Sequence, residues 1–199
     1  MFDSVNSYYK FHSKIYDFTR WSILFGRNSI LDCLPKLSSE DPKILDLGCG
    51  TGKHLTKLAE KYPEAQITGL DASVEMLTKA QAKISLLPTI SIQKSSFNEF
   101  LSEKNTYDLI LCSYSLSMFG DKTPFLADIY SSLKENGTII VMDFDTTPFP
   151  FFERWMNFNH VQISGNLFNE LQHLFKIQFH KTKKGYFGLW KYSLFIGTK

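Results

Sequence analysis

Between Ile44 and Gly52 the chain reads ILDLGCGTG, a short apolar run that opens into three alternating glycines. Gly48 allows a tight turn, and Gly50 lets the backbone approach a ligand with no side chain between them. An amphipathic stretch follows at once, so free N–H groups of a helix start would face an anionic or polar group. About 20 residues on, Asp71 closes the run ITGLDAS, where a carboxylate can accept both hydroxyls of an unphosphorylated ribose. Loop and acid together point to a cofactor carrying a nucleoside, either a dinucleotide or S-adenosylmethionine.

The elements that must position these residues form an alternation. Strands are expected at Lys43–Gly48, Gln66–Asp71, Ile90–Ser95, Tyr107–Tyr114 and Gly137–Phe144, with apolar runs short enough to be buried on both faces. Helices are expected between them at Gly52–Lys61, Ser73–Lys83 and Lys122–Leu133, with Ser73 as an N-cap, a short turn after Phe97, and Gly137 as a helix stop. After Phe144 the pattern breaks into TTPFPFF, read as an aromatic loop over Phe144–Phe158, before a helix near Leu167–Phe175. Two last runs, Lys176–Lys181 and Tyr186–Gly197, read as an antiparallel hairpin turning at KTKKG. Ahead of the core, Ser7–Trp21 and Asn28–Leu34 read as helical. The expected fold is a doubly wound, mostly parallel α/β sheet of seven strands, Rossmann-like, with antiparallel strand addition at its C-terminal end. One domain spans residues 1–199: an N-terminal helical cap over 1–42 and a core over 43–199.

Composition narrows the function classes. A 199-residue chain with 43% hydrophobic residues supports one well-packed domain. Lys and Arg number 22 against 20 Asp and Glu, which gives no global steering toward nucleic acid. The three cysteines, Cys33, Cys49 and Cys112, form no CxxC pair, so neither a disulfide framework nor a metal site is expected. Without an apolar run of ~18 residues or a secretory leader, the chain is expected in the cytoplasm. Aromatics cluster at residues 1–25 and 144–158, which suggests a lid, an acceptor pocket or a surface in peripheral contact with a membrane. The oligomeric state is not written in these features.

The two cofactor classes separate at the third glycine. A dinucleotide loop reads GxGxxG, whereas this one reads GCGTGK, and the spacing DxGxGxG from Asp46 to Gly52 resembles motif I of the class I S-adenosylmethionine-dependent methyltransferases. That resemblance places the methionine end of the cofactor over Asp46, Gly48, Cys49 and Gly50. It puts the ribose on Asp71 and Ala72, adenine under Met76, and Ser96 and Phe97 where the family commonly has an adenine-binding acid. Cys112, Ser113 and Tyr114 leave the fourth strand toward the crevice, near the reacting sulfonium. Cys49 and Cys112 also suit plain packing, with nothing nearby to lower a thiol pKa.

Further motifs narrow the resemblance. YDFTRWSILFGR (Tyr16–Arg27), SYSLSMF (Ser113–Phe119), VMDF (Val141–Phe144) and the segment Trp155–Val161 are similar to bacterial betaine-lipid N-methyltransferases, which methylate the amine of diacylglyceryl homoserine. After Met118 the chain has Phe119-Gly120 where that group has Ile-Pro. The resemblance implies methyl transfer to an amine of a small molecule or lipid head group. Methyl transfer needs alignment and desolvation more than a strong base. His12 or a tyrosine can take the amine proton, and Tyr9, Tyr16 and Tyr114 can surround a methylated ammonium at ~1–2 kcal/mol. Arg20, one helical turn after Tyr16, can pair with the cofactor carboxylate. Two other readings use the same cofactor site: aminocarboxypropyl transfer, and a non-catalytic cofactor-binding protein. Neither a metal nor a nucleic-acid partner is expected.

Overall fold

The short apolar runs become the central strands of a sheet because each can bury both faces only where helices cover it. In the computed structural model, residues 23–94, 104–119, 122–163 and 165–199 are described. The strands are β1 (Lys43–Leu47), β2 (Gln66–Asp71), β3 (Ile90–Lys94), β4 (Tyr107–Ser113), β5 (Leu133–Phe144), β6 (Lys176–Gly185) and β7 (Trp190–Thr198). The helices are α1 (Lys53–Lys61), α2 (Val74–Ile84), α3 (Thr123–Ser132), α4 (Pro150–Phe158) and α5 (Leu167–Leu174). The sheet order is β3-β2-β1-β4-β5-β7-β6. Neighbours from β3 to β5 pair in parallel, and β7 runs antiparallel to both β5 and β6. This is the expected doubly wound, mostly parallel fold.

The chain winds outward from β1 to β3 and then jumps back to β4. The order therefore reverses between β1 and β4, where a crevice opens at the strand C-ends. Side chains alternate across the sheet and build two cores. Ile44, Ile67, Leu109, Leu111 and Ile140 meet Leu55, Leu58, Leu77 and Ile84 on one face. Leu45, Leu47, Leu70, Ile110 and Val141 meet Phe125, Leu126, Ile129 and Leu171 on the other. The segment after residue 22 packs onto the first face through Phe25, Leu31, Leu34 and the fully buried Ile30.

Four local expectations change. The stretch Phe144–Phe158 is not a loop, because Pro150 starts α4 at a position where its fixed φ and missing N–H cost nothing. KTKKG is not the hairpin turn: it belongs to β6, and the chain turns at Tyr186–Leu189. Gly137 is not a helix stop, since α3 ends at Ser132 and β5 already begins at Leu133. A register shift against β4 takes up the extra residues, with Asn136 at φ +63°. Of Asn28–Leu34 only Leu31–Cys33 is helical, as a single 3-10 turn. The expected helix over Ser7–Trp21 and the turn after Phe97 lie outside the described residues.

Candidate cofactor site

The crevice is built from the backbone upward. Strand β1 ends at Leu47, and the N–H groups of Gly48 and Cys49 both donate to the Leu70 carbonyl at 2.8 Å, pinning the turn to the end of β2. Gly48 has φ +79°, and a Cβ there would sit 2.4 Å from the Ser115 Cβ, so only glycine fits against the β4 exit. Gly50 has φ +56° but faces open space, the nearest atom to an added Cβ being the Arg27 Nη2 at 3.8 Å. One glycine thus makes the loop close, and the other leaves room above it.

Asp71 braces this loop from below. Its Oδ2 accepts the Gly50 N–H at 2.8 Å and its Oδ1 accepts the Ser73 N–H at 2.9 Å. Ser73 then caps α2 by accepting the Met76 N–H at 3.3 Å. A carboxylate oxygen accepts more than one hydrogen bond, so holding the loop does not bar Asp71 from accepting from a vicinal diol.

Asp46 sits at the floor, fully buried, with no hydrogen-bond partner on either carboxylate oxygen. Burial raises its pKa from 3.8 to about 7; Arg27 opposes the rise and the Asp71 charge adds to it. A buried carboxyl with no partner on either oxygen is a strong receptor for an ammonium donor, whose charge would favour the ionised form. The hydroxyl oxygens of Ser113 and Ser115 are also buried without partners. Two acceptor sets, Asp46 and Asp71, flank an open glycine backbone. That arrangement fits the amino-acid end and the ribose of S-adenosylmethionine. Among the described residues no group of three or more His, Cys, Asp or Glu is placed to hold a metal ion.

Arg27 and Asp143 were not singled out from the sequence. Arg27 reaches the loop because the segment before it folds back over the sheet: the Tyr114 hydroxyl donates to the Phe25 carbonyl at 2.6 Å, and His54 Nε2 donates to the Arg27 carbonyl at 3.2 Å. Burial and the nearby guanidinium lower the His54 pKa to about 4, so its imidazole is neutral at pH 7. Asp143, a lone acid in the apolar run IIVMDF, accepts the Ser117 and Phe144 N–H groups at 3.0 and 2.8 Å and fixes the turn Leu116–Met118. Its position in that run was the available signal. For Arg27 there was none, because seven residues separate it from Arg20 and only the tertiary path selects between them.

The other expected residues divide. Asp46, Gly48, Cys49, Gly50, Asp71, Ala72 and Met76 gather around the β1 and β2 ends. Cys112 does not face the crevice: strand alternation turns it into the opposite core with Leu47, Leu116 and Phe125, and burial raises its thiol pKa. Cys49 packs with Leu55, and its pKa is also raised by burial. Tyr114 is buried with its hydroxyl engaged and its ring edge-on to Phe144 at 4.8 Å, so it holds the incoming segment. Tyr9, His12, Tyr16, Arg20, Ser96 and Phe97 lie outside the described residues.

Comparison with known proteins agrees with this geometry. A trans-aconitate 2-methyltransferase of Deinococcus radiodurans is 32% identical over 99 residues, covering 50% of this chain and 36% of its own. A malonyl-[acyl-carrier protein] O-methyltransferase of Halalkalibacterium halodurans is 28% identical over 165 residues, covering 79% and 60%. The chain therefore spans less than two thirds of the length of these curated relatives. A crystal structure of a putative S-adenosylmethionine-dependent methyltransferase from Listeria monocytogenes shares the fold with TM-score 0.68 at 20% identity, over 86% of this chain and 96% of that one. The methyltransferase domain family model matches residues 38–186. The chain belongs to the methyltransferase domain family, in the class whose cofactor is S-adenosylmethionine.

Proposed function

We propose that this chain transfers the methyl group of S-adenosylmethionine to an amine of a small molecule or lipid head group, as a single domain with residues 1–42 capping the 43–199 core. The observation that carries the reading is the buried, unpartnered Asp46 carboxyl beside the open backbone at Gly50.

In this reading Asp46, Gly48, Cys49 and Gly50 hold the methionine end, Asp71 and Ala72 the ribose, and Met76 the adenine, with Ser96 and Phe97 completing that end. The cofactor supplies an electrophilic methyl group on a sulfonium. The chain's own residues align and dry the crevice. Ionised Asp46 accepts from the cofactor ammonium, and Arg27, held at the loop by His54 and Tyr114, pairs with its carboxylate alongside Arg20. Ser113 brings a spare hydroxyl to the β4 exit. No described side chain at the crevice is a strong base, which suits an acceptor that arrives as a neutral amine, with His12 or a tyrosine taking its proton.

The amine rests on the betaine-lipid resemblance at Ser113–Phe119 and Val141–Phe144, and on Tyr9, Tyr16 and His12. The curated relatives above include an O-methyltransferase by name, so the acceptor atom is the part to test. Incubation with labelled cofactor and a metabolite and lipid extract should give S-adenosylhomocysteine and an N-methylated product. A labelled ester or C-methyl product would retain methyl transfer and remove the amine. Methylthioadenosine as by-product would replace methyl transfer by aminocarboxypropyl transfer, and cofactor binding without any product would leave a non-catalytic binder.

A further inference from the structure

Helix α4 is apolar on both sides, which a helix packed on one face alone does not need. Phe152 and Met156, one turn apart, face inward, and the Phe152 ring stacks on Trp190 at 5.4 Å. Phe151, Trp155 and Phe158 follow the spacing i, i+4, i+7 on the outer side and are 66, 48 and 82% exposed. Phe149 extends the stripe at the N-cap.

The β6–β7 tip continues this surface. It is tied to the segment before α4 by the Thr147 hydroxyl donating to the Leu189 carbonyl and the Lys191 N–H donating to the Thr146 carbonyl, both at 2.7 Å. At its end Phe187 is fully exposed at φ +55°, a left-handed conformation that bulky residues avoid. Directly behind it Lys184 stands opposite Lys191 across the strands, with Lys183 beside them. Like charges paired this way repel, and no ion pair joins any of the three to an acid among the described residues.

We propose that the outer face of α4 and the β6–β7 tip form a docking surface for an anionic lipid bilayer. Phe and Trp side chains are favoured at the boundary between headgroups and acyl chains, and an anionic surface relieves the Lys184–Lys191 repulsion. On the β6–β7 ribbon Lys183 lies on the Trp190 side, where Phe152 of α4 stacks, and Lys184 and Lys191 edge the other side, so the exposed tip that is tied to the segment before α4 carries positive charge on both of its sides. The surface also borders the site: Phe25, whose segment carries Arg27 to the glycine loop, packs against Tyr186 at 5.0 Å. The inference does not rest on methyl transfer, because bilayer binding is read without cofactor.

The test is sedimentation of the full chain with phosphatidylcholine vesicles, with and without phosphatidylserine. Binding should require phosphatidylserine and weaken with added salt. Lys183→Ala, Lys184→Ala and Lys191→Ala should each lower partitioning about fivefold. The triple variant Phe151→Ser, Trp155→Ser, Phe158→Ser should lower it about tenfold or more with a loss of Tm well below that of Phe152→Ser. No binding to phosphatidylserine vesicles, or binding indifferent to both sets of substitutions, overturns the proposal. So does a loss of Tm in the outer triple variant equal to that of Phe152→Ser, which would mean the chain itself covers the stripe. A dimer in ultracentrifugation that the outer triple variant dissociates, with no vesicle binding, would assign the face to a second copy.

Discussion

The Gly50 amide and the Asp71 carboxylate meet at 2.8 Å, so the residue expected to hold a ribose also fixes the loop expected to hold the methionine end. Cofactor and loop share one carboxylate, and perturbing Asp71 acts on both.

Asp71→Ala should weaken S-adenosylmethionine binding by about 1.5–3 kcal/mol, the cost of losing hydrogen bonds to a charged group. Asp71→Asn keeps one acceptor oxygen for Ser73 or Gly50 and should fall between the two. Calorimetric titration gives the ranking, and equal affinities would remove Asp71 from the site.

Gly48 and Gly50 should separate stability from binding. Gly48→Ala puts a Cβ against Ser115 and should cost more than about 2 kcal/mol of stability. Gly50→Ala meets open space and should cost only about 1–2 kcal/mol, for the left-handed backbone. Its loss should appear in cofactor affinity, more so for Gly50→Val. Denaturant melts with binding isotherms on the same samples test this.

Asp46 should make stability pH-dependent in a defined direction. Its folded pKa is raised from 3.8 to about 7, so the folded state holds a proton that the unfolded chain has released. Its favourable contribution is complete below 3.8 and lost as pH rises through about 7. The stability gained by Asp46→Asn should therefore grow between these limits, on the order of 2–4 kcal/mol. Subtracting the two proteins' curves cancels His54, whose lowered pKa of about 4 removes stability as pH falls from 6.5. A pH-independent difference would show that Asp46 is ionised throughout.

Arg27→Met should raise the Asp46 pKa further, because Arg27 is what opposes the rise. Its cofactor affinity at pH 7 should fall, and the pH at which affinity reaches half its maximum should move upward. Unchanged affinity would leave Arg27 as a packing residue.

How much of this the sequence carried depends on how local each cause was. Strand β2 and Asp71 were readable because the run is bounded on both sides and the acid falls at a spacing that strand and loop geometry dictate. Ser73 was readable as a cap for the same reason. Helix α4 was hidden because Pro148 and Pro150 look like loop punctuation, while the packing of Phe152 that favours a helix depends on Trp190, which comes 38 residues later in the chain. The hairpin turn was misplaced because KTKKG has turn composition, whereas the strand is held by its pairing with β7. Arg27 reached the glycine loop only through the Phe25–Tyr114 contact, which links residues 89 apart.

Calorimetric titration of the full chain with S-adenosylmethionine, on the wild type and Asp71→Ala side by side, tests the central claim most directly. The glycine-loop site predicts one binding event in the wild type, weakened about tenfold or more in the variant. No binding, or the same affinity in both proteins, would contradict it.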